Sequence, residues 1–312
     1  MELRKDYALE RWVIIASGRS KRPQERREAE GQVRGVCYFC PGNERFTPPE
    51  IGRLGGRRWR FRWFANKFPA VEPKGNPEAR TDNEFFTFAD AYGIHEIVVE
   101  TPSSAKQLWD LKHSELVELF SIYNSRIGEL SKADRIKYVS VFKNHGVKGG
   151  ASLRHSHTQI IASAVTPPVV NAEAESCSGK CPYCRIIGTE KNSFRRCFEN
   201  ETAAAFTPYA SRFNYELWIF PKIHRKTLGE FSENEMRDFT ELLHNALKRL
   251  KTLNVSYNYF IHYSPDSADL HFHLELAPRI SNWAGFELSS GIVINTVSPE
   301  DAARFYRGES RF

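Results

Sequence analysis

The chain reads as an α+β protein made of two tandem copies of one domain, each an antiparallel sheet with one long helix. Three observations predict this. A pattern of cysteine and histidine occurs twice in the same order: Cys37 and Cys40, His95, then His155-Ser-His157; and Cys181 and Cys184, His224, then His271-Phe-His273. A helical period follows each lone histidine. A strand, a turn-rich loop and a closing strand then complete each copy.

In the first copy His95 opens the apolar run Ile97-Val-Val99. Leu116, Phe120, Tyr123, Ile127 and Leu130 recur at spacings of three and four, which predicts a helix from near Ser114. Tyr138-Val-Ser-Val-Phe142 reads as a strand. A loop over 144–152 holds three glycines, and an alternating strand with His155, His157 and Gln159 closes the copy. In the second copy Leu217-Trp-Ile-Phe220 leads to His224. Ser232-Glu-Asn-Glu235 is a capping box, because the serine hydroxyl and the glutamate carboxylate can each take an orphan N–H of the first turn. Met236, Phe239, Leu243, Ala246 and Leu250 carry the helix from there. Tyr257-Asn-Tyr-Phe-Ile261 is the next strand, Ser264-Pro-Asp-Ser267 a loop, and the closing strand carries His271 and His273. The domains are placed at 1–165 and 176–312, joined by a linker over 163–180 that contains Pro167-Pro168.

At 312 residues, 41% hydrophobic and 26% charged, the composition is that of a soluble globular protein and argues against disordered, collagenous and disulfide-scaffold classes. No apolar run approaches the ~18 residues of a membrane span. The N-terminus reaches only the short run Trp12–Ala16 and shows no secretory signal, so a cytoplasmic location with no membrane partner is expected. The net charge is +6, but residues 1–62 alone have a balance of +7 and the remainder −1. A local basic excess suits a phosphorylated ligand or nucleic acid, or is a solvated face. Two methionines, four glutamines and many arginines point to a heat-adapted, thermophilic source.

In a cytoplasmic chain two Cys-x-x-Cys pairs half a chain apart favour metal over disulfides or a thioredoxin-like site. Zinc fills a tetrahedral shell from thiolates and imidazoles. Cys37, Cys40, His95 and one histidine of the 155/157 pair would make one site, and Cys181, Cys184, His224 and His271 a second, giving two zinc ions per chain. In a strand, residues i and i+2 face the same way, so His155, His157 and Gln159 project in series. One histidine can hold metal while its neighbour stands free, and a free imidazole held on one nitrogen can attack phosphorus with the other. Gln159 can donate to oxygens where charge develops, and Ser152 offers a hydroxyl and mobile backbone amides to a phosphate. In the second copy Glu275 stands where Gln159 stands in the first; a carboxylate there repels a phosphoryl group, so the second site is expected to be structural. Neither a P-loop nor a Gly-x-Gly-x-x-Gly fingerprint is present.

From Leu3 to about Tyr306 the chain resembles the galactose-1-phosphate uridylyltransferase family, a two-domain branch of the histidine-triad superfamily. The motifs that carry the resemblance are Arg11-Trp-Val-Ile14, Arg19-Ser-Lys-Arg22-Pro23, Cys37-x-x-Cys40, Asn66-Lys-Phe-Pro69, His95, Asn144, Gly149-Gly-Ala-Ser152, His155-Ser-His157-Thr-Gln159 and Gly285-Phe-Glu287. The resemblance implies histidine-triad-like domains and a nucleophilic His157 that takes UMP from UDP-glucose and passes it to a hexose 1-phosphate, typically galactose 1-phosphate. It implies Cys37, Cys40, His95 and His155 as zinc ligands. It implies nucleotide or phosphate contacts from Arg19, Arg22, Asn66, Asn144, Ser152 and Gln159, and a homodimer in which Phe286 and Glu287 reach the partner's active site. The well-known bacterial form has proline between the two histidines, where this chain has Ser156, and it lacks the second Cys-x-x-Cys pair. Both departures resemble the plant-type branch, which includes phosphorylases of ADP-glucose.

Three readings follow. The first is uridylyl transfer from UDP-glucose; the second is adenylyl transfer by an ADP-glucose phosphorylase; the third is a zinc-stabilised nucleic-acid-binding module. The third rests on Trp59, Phe61 and Trp63 interleaved with Arg57, Arg58, Arg60 and Arg62. That alternation is also what a half-buried strand shows, and nucleic acid is not expected as a partner.

Overall fold

The computed structural model describes residues 2–6, 9, 12–15, 36–81, 85–265 and 268–310. Its elements run in the order β1 (Glu2–Lys5), β2 (Trp12–Ile15), β3 (Glu50–Leu54), β4 (Phe61–Ala65), β5 (Arg80–Thr81), β6 (Thr87–Phe88), β7 (Gly93–Val99), α1 (His113–Leu130), β8 (Tyr138–His145) and β9 (His157–Ser163). The chain continues with α2 (Pro168–Ser176), α3 (Pro182–Glu190), β10 (Arg196–Glu199), β11 (Ala203–Phe206), β12 (Leu217–Pro221), α4 (Glu233–Leu253), β13 (Tyr257–His262), β14 (His273–Pro278), α5 (Gly285–Ser290), β15 (Val293–Asn295) and α6 (Pro299–Arg307).

Ten of these strands form one sheet in the order β10-β11-β12-β14-β13-β8-β9-β7-β4-β3. Read from either edge inward, both halves follow the same scheme: edge strand, its hairpin partner, the strand before the long helix, the His-x-His strand, then the strand after the helix. The fold is therefore α+β with a duplicated antiparallel plan. The halves meet where β13 pairs β8, with Phe260 opposite Phe142. β15 also pairs β2 in parallel, so a strand from the C-terminal part lies beside one from the N-terminal part.

Alternation along the strands sorts the faces. In β8, Val139, Val141 and Lys143 are buried while Phe142 and Asn144 are partly open. In β13, Tyr257, Tyr259 and Ile261 are buried while Asn258 and Phe260 are partly open. Helices α1 and α4 cover the buried face. Leu116, Leu119, Phe120 and Tyr123 of α1 and Phe239, Leu243, Ala246 and Leu250 of α4 are fully buried, and the rings of Phe120 and Phe239 lie 6.0 Å apart. Helix α4 begins as its sequence requires: Glu235 N–H donates to Ser232 Oγ at 3.1 Å and Ser232 N–H donates to Glu235 Oε2 at 2.8 Å. It ends at Asn254 in the left-handed region. No helix among the described residues is long and apolar enough to cross a membrane.

Two local expectations change. The stretch expected as linker contains helix α2, because Pro168 occupies its first turn and Val170, Glu173 and Ala174 bury one side. β9 and β14 begin at His157 and His273, so His155 and His271 stand just before their strands rather than in them. Arg62 is fully buried, and its Nη1 donates to Thr47 Oγ1 at 3.1 Å and pairs with Glu50 at 3.2 Å. Trp59 Nε1–H donates to Glu44. Within that stretch, Trp59, Phe61 and Arg62 are therefore core residues and not open surface.

Candidate active site and metal centres

The open face of the first half carries a pocket of about 440 Å³ beside the start of β9. His157, Gln159, Ser152, Asn66 and His95 line it, and Tyr38, Phe39, Phe46 and Phe64 form an aromatic wall with Pro48 beside them. The 146–152 loop brings Ser152 there. Gly146 has φ +72°, and a Cβ on it would meet Ser256 Oγ at 2.2 Å, so only glycine fits the turn into the loop. Asn144 lines a neighbouring pocket of about 390 Å³ with Gly149, Asn258 and Arg279, and its Oδ1 accepts from Asn258 Nδ2 at 2.8 Å.

His157 is held on one nitrogen. Its Nδ1–H donates to the carbonyl of His155 at 2.7 Å, which leaves Nε2 unprotonated in the neutral ring. Burial, then the Lys143 ammonium, pushes its pKa down to about 4, so the lone pair is present at neutral pH. The Phe39 ring stands edge-on at 5.5 Å and braces the imidazole.

A buried network holds the backbone behind His157. Lys143 Nζ donates to the His157 carbonyl at 3.1 Å, to Ser156 Oγ at 3.0 Å and to Glu100 at 2.5 Å. Glu100 also accepts from the hydroxyls of Ser156 and Thr158, each at 2.5 Å. Thr158, Tyr123 and Tyr259 join their hydroxyls in a cluster with contacts of 2.7 to 3.1 Å. Burial raises the Glu100 carboxyl, but Lys143 and the hydroxyl donors outweigh it and hold its pKa below the usual range. Sequence reasoning missed Glu100 and Lys143. The signal was the alternation itself: Lys143 falls on the inward side of β8 with Val139 and Val141, and an inward lysine needs a buried partner.

Two groups of metal-type donors lie in equivalent places. Cys181, Cys184, His224 and His271 bring four ligand atoms within 4.8 Å of one another. Cys37, Cys40 and His155 bring three. In both, the histidine before the strand turns Nδ1 toward sulfur and gives Nε2–H to a backbone carbonyl: His155 to Thr101 at 2.6 Å, His271 to Pro221 at 2.9 Å. That outer bond fixes tautomer and ring orientation, as in histidine-bound metal sites. The donor chemistry fits zinc, with a full tetrahedral set in the second half.

His95 is not in the first group. It sits on β7 with Nδ1 accepting from Ala70 N–H at 3.1 Å and Nε2 3.0 Å from Gln159 Oε1. The pull expected toward the Cys37–Cys40 pair does not occur because β7 pairs β9 with Ile97 opposite Gln159, which turns His95 to the pocket. Arg19 and Arg22 lie outside the described residues. Phe286 and Glu287 lie on the short α5, and neither lines the pocket.

The second half repeats the geometry of His157 without its access. His273 Nδ1–H donates to the His271 carbonyl at 2.9 Å, as His157 does to His155. However, His273 is fully buried, with Phe220 at 4.9 Å and Tyr183 at 5.2 Å from its ring. Glu275 is held by Arg212 at 2.5 Å, and Glu173 accepts from His262 at 2.7 Å, so both carboxylates have partners within the core.

Comparison with known proteins agrees with this architecture. A sequence profile for the galactose-1-phosphate uridyl transferase N-terminal domain matches residues 3–167, and one for a domain of unknown function, DUF4921, matches 100–305. An ADP-glucose phosphorylase from Arabidopsis thaliana is 32% identical over 98% of this chain and 92% of that protein. Its crystal structure with bound ADP-glucose superposes with a TM-score of 0.85, covering 99% of both chains at 31% identity. A galactose-1-phosphate uridylyltransferase from Thermotoga maritima is 28% identical over 98% of each chain. A solved uridylyltransferase structure matches with a TM-score of 0.76 over 99% of this chain and 98% of that one, at 27% identity. With half the chain under the family profile and a 32% identical relative along nearly all of it, the chain belongs to the galactose-1-phosphate uridyl transferase family.

Proposed function

We propose that the protein is a nucleotidyltransferase that moves a nucleoside monophosphate from a nucleotide sugar to a phosphorylated acceptor through a covalent nucleotidyl-His157. The observation that carries this is the single unprotonated Nε2 of His157 at the wall of a pocket that also holds Ser152 and Gln159. His157 Nε2 attacks the α-phosphorus; the N–P bond forms as the bond to the bridging oxygen breaks, and the sugar 1-phosphate leaves. The Gln159 amide donates to the non-bridging oxygens as charge grows there, and Ser152 meets the departing phosphate. The acceptor's phosphate oxygen then attacks the same phosphorus, and the free imidazole returns. The ordered carbonyl bond to His155 supplies the proton-bearing nitrogen throughout, so the nucleophile needs no external base.

Cys37, Cys40 and His155 would hold one zinc, and Cys181, Cys184, His224 and His271 another. Zinc supplies a rigid cross-link there that presents His157 without further ordering. The finer reading is uridylyl transfer between UDP-glucose and a hexose 1-phosphate. Adenylyl transfer from ADP-glucose to inorganic phosphate is the second reading, favoured by the 32% identical ADP-glucose phosphorylase. The proposal includes a homodimer whose copies exchange Phe286 and Glu287. Supporting it, neither residue lines the pocket of its own chain and Phe286 is exposed. Incubation with each nucleotide sugar and its acceptor separates the readings: UDP-galactose release from UDP-glucose and galactose 1-phosphate supports the first, ADP release from ADP-glucose and inorganic phosphate the second. Release of neither from zinc-loaded protein sinks both.

A further inference from the structure

We propose that His95 is a positioning residue for the transfer step, and not a metal ligand: it fixes the Gln159 carboxamide so that its NH₂ faces the reacting phosphate. The inference rests on the nucleotidyl-transfer reading and gives one of its residues a partner.

The backbone creates the contact. β7 and β9 are antiparallel with Ile97 opposite Gln159. His95 lies two residues before Ile97 on the same face, so it is the diagonal neighbour of Gln159, within reach of a long side chain. The carbonyl of His95 accepts from Asn66 N–H at 2.7 Å, which ties the ring's own backbone to the pocket edge.

The protons then follow in order. Ala70 N–H points at His95 Nδ1 at 3.1 Å. A backbone N–H can only donate, so Nδ1 is an acceptor and the proton of the neutral ring is on Nε2. Burial keeps the ring neutral by lowering its pKa below the usual value. Nε2–H therefore donates to Gln159 Oε1 at 3.0 Å. With its oxygen taken, Gln159 can offer only NH₂ to the pocket, two residues along the same strand face from His157. Asn66 is set separately: its Oδ1 accepts from Phe68 N–H at 2.9 Å, which leaves its Nδ2 beside the ring, 3.1 Å from Nε2. The imidazole thus turns the Gln159 amide donor-side out, toward an anion. Without it the Gln159 amide is free to rotate by half a turn and present an oxygen to the phosphoryl group. Both nitrogens of His95 are already in use, which leaves none for a metal.

The test is a double-mutant cycle on the full zinc-loaded chain, reading the rate of nucleotidyl-protein formation with UDP-glucose and ADP-glucose. His95→Ala is expected to slow the step by roughly 10- to 100-fold with little change in KM and no loss of zinc. Gln159→Ala should slow it comparably, and the double variant little further, because the two act through one bond. Additive losses, or loss of a zinc ion from His95→Ala, overturn the inference. NMR of nitrogen-labelled histidine in the wild-type chain gives an answer that needs neither folding of a variant nor turnover. Nε2 protonated, and shifted by Gln159→Ala, upholds the contact; Nδ1 protonated, or a His95 shift on chelating the metal, overturns it. If the wild-type chain takes no nucleotidyl group from either sugar, the functional reading fails by itself, and the tautomer still decides the contact.

Discussion

Lys143 and Glu100 show how far the backbone at His157 rests on side chains buried away from the pocket. Both are fully buried, and their pairing carries the carbonyl of His157 and the hydroxyls of its two neighbours. Removing one partner leaves an uncompensated buried charge. Lys143→Met should therefore cost about 3–5 kcal/mol in denaturant unfolding. Adding Glu100→Gln should return part of that, since the orphan charge is gone. If the double variant were as unstable as the single, burial of the pair would not be the cause. At the nucleophile itself, His157→Gly should abolish adduct formation while fold and zinc remain, because its ring nitrogens hold only the His155 carbonyl. Added imidazole should restore some transfer by occupying the vacated space. Loss of zinc in His157→Gly would mean that the metal-binding and nucleophilic roles of the two histidines are exchanged.

At the scale of elements, the loop and strand on either side of the sheet centre set both the site and its acid response. His145 ends β8, stacked on Tyr257 at 4.7 Å and edge-on to Trp109 at 4.5 Å. Burial, then Lys143, pushes its pKa down to about 3 from a usual 6.5. The unfolded chain binds this proton first, so the stability His145 contributes is whole above about pH 6.5 and is lost as pH falls toward 3. Melting temperature should drop across that window, and His145→Phe, which keeps the stacking, should flatten the drop; an unchanged slope would remove His145 from the account. The elements were also where the sequence was most legible. The 3.6-residue periods of Leu116–Leu130 and Met236–Leu250 became α1 and α4 because each stripe had one face to bury. The His-x-His strands began one step late, since the first histidine of each pair is turned out of the ladder toward the cysteines. His95 lies apart from the Cys37, Cys40 and His155 group for a reason that spacing alone cannot expose. Its place depends on strand register, and register is fixed by pairing between residues 58 to 70 apart. The aromatic wall and the Glu100 clamp come from separate elements and converge only in three dimensions.

For the whole molecule, the duplicated plan gives two geometrically similar halves that differ in access. Both preserve cysteines, a carbonyl-held histidine and a preceding metal-type histidine. Among the described residues, only the first half keeps an opening to solvent beside its second histidine. In the other half Tyr183, Phe220 and the Arg212–Glu275 pair fill that space. Cys181→Ser should therefore lower zinc affinity by more than the ~100-fold that loss of an outer contact costs. It should lower melting temperature while leaving the rate of adduct formation per folded molecule nearly intact. A folded, zinc-depleted variant without activity would show that the second half takes part in the chemistry. The account's central claim is that His157 carries the nucleotide. Intact-mass measurement after exposure to UDP-glucose or ADP-glucose, followed by peptide mapping in base, tests it most directly. One nucleoside monophosphoryl group per chain is expected, on His157, acid-labile and absent from His157→Gly. An unmodified wild-type chain under conditions where it turns over, or a group mapped to any other residue, would contradict it.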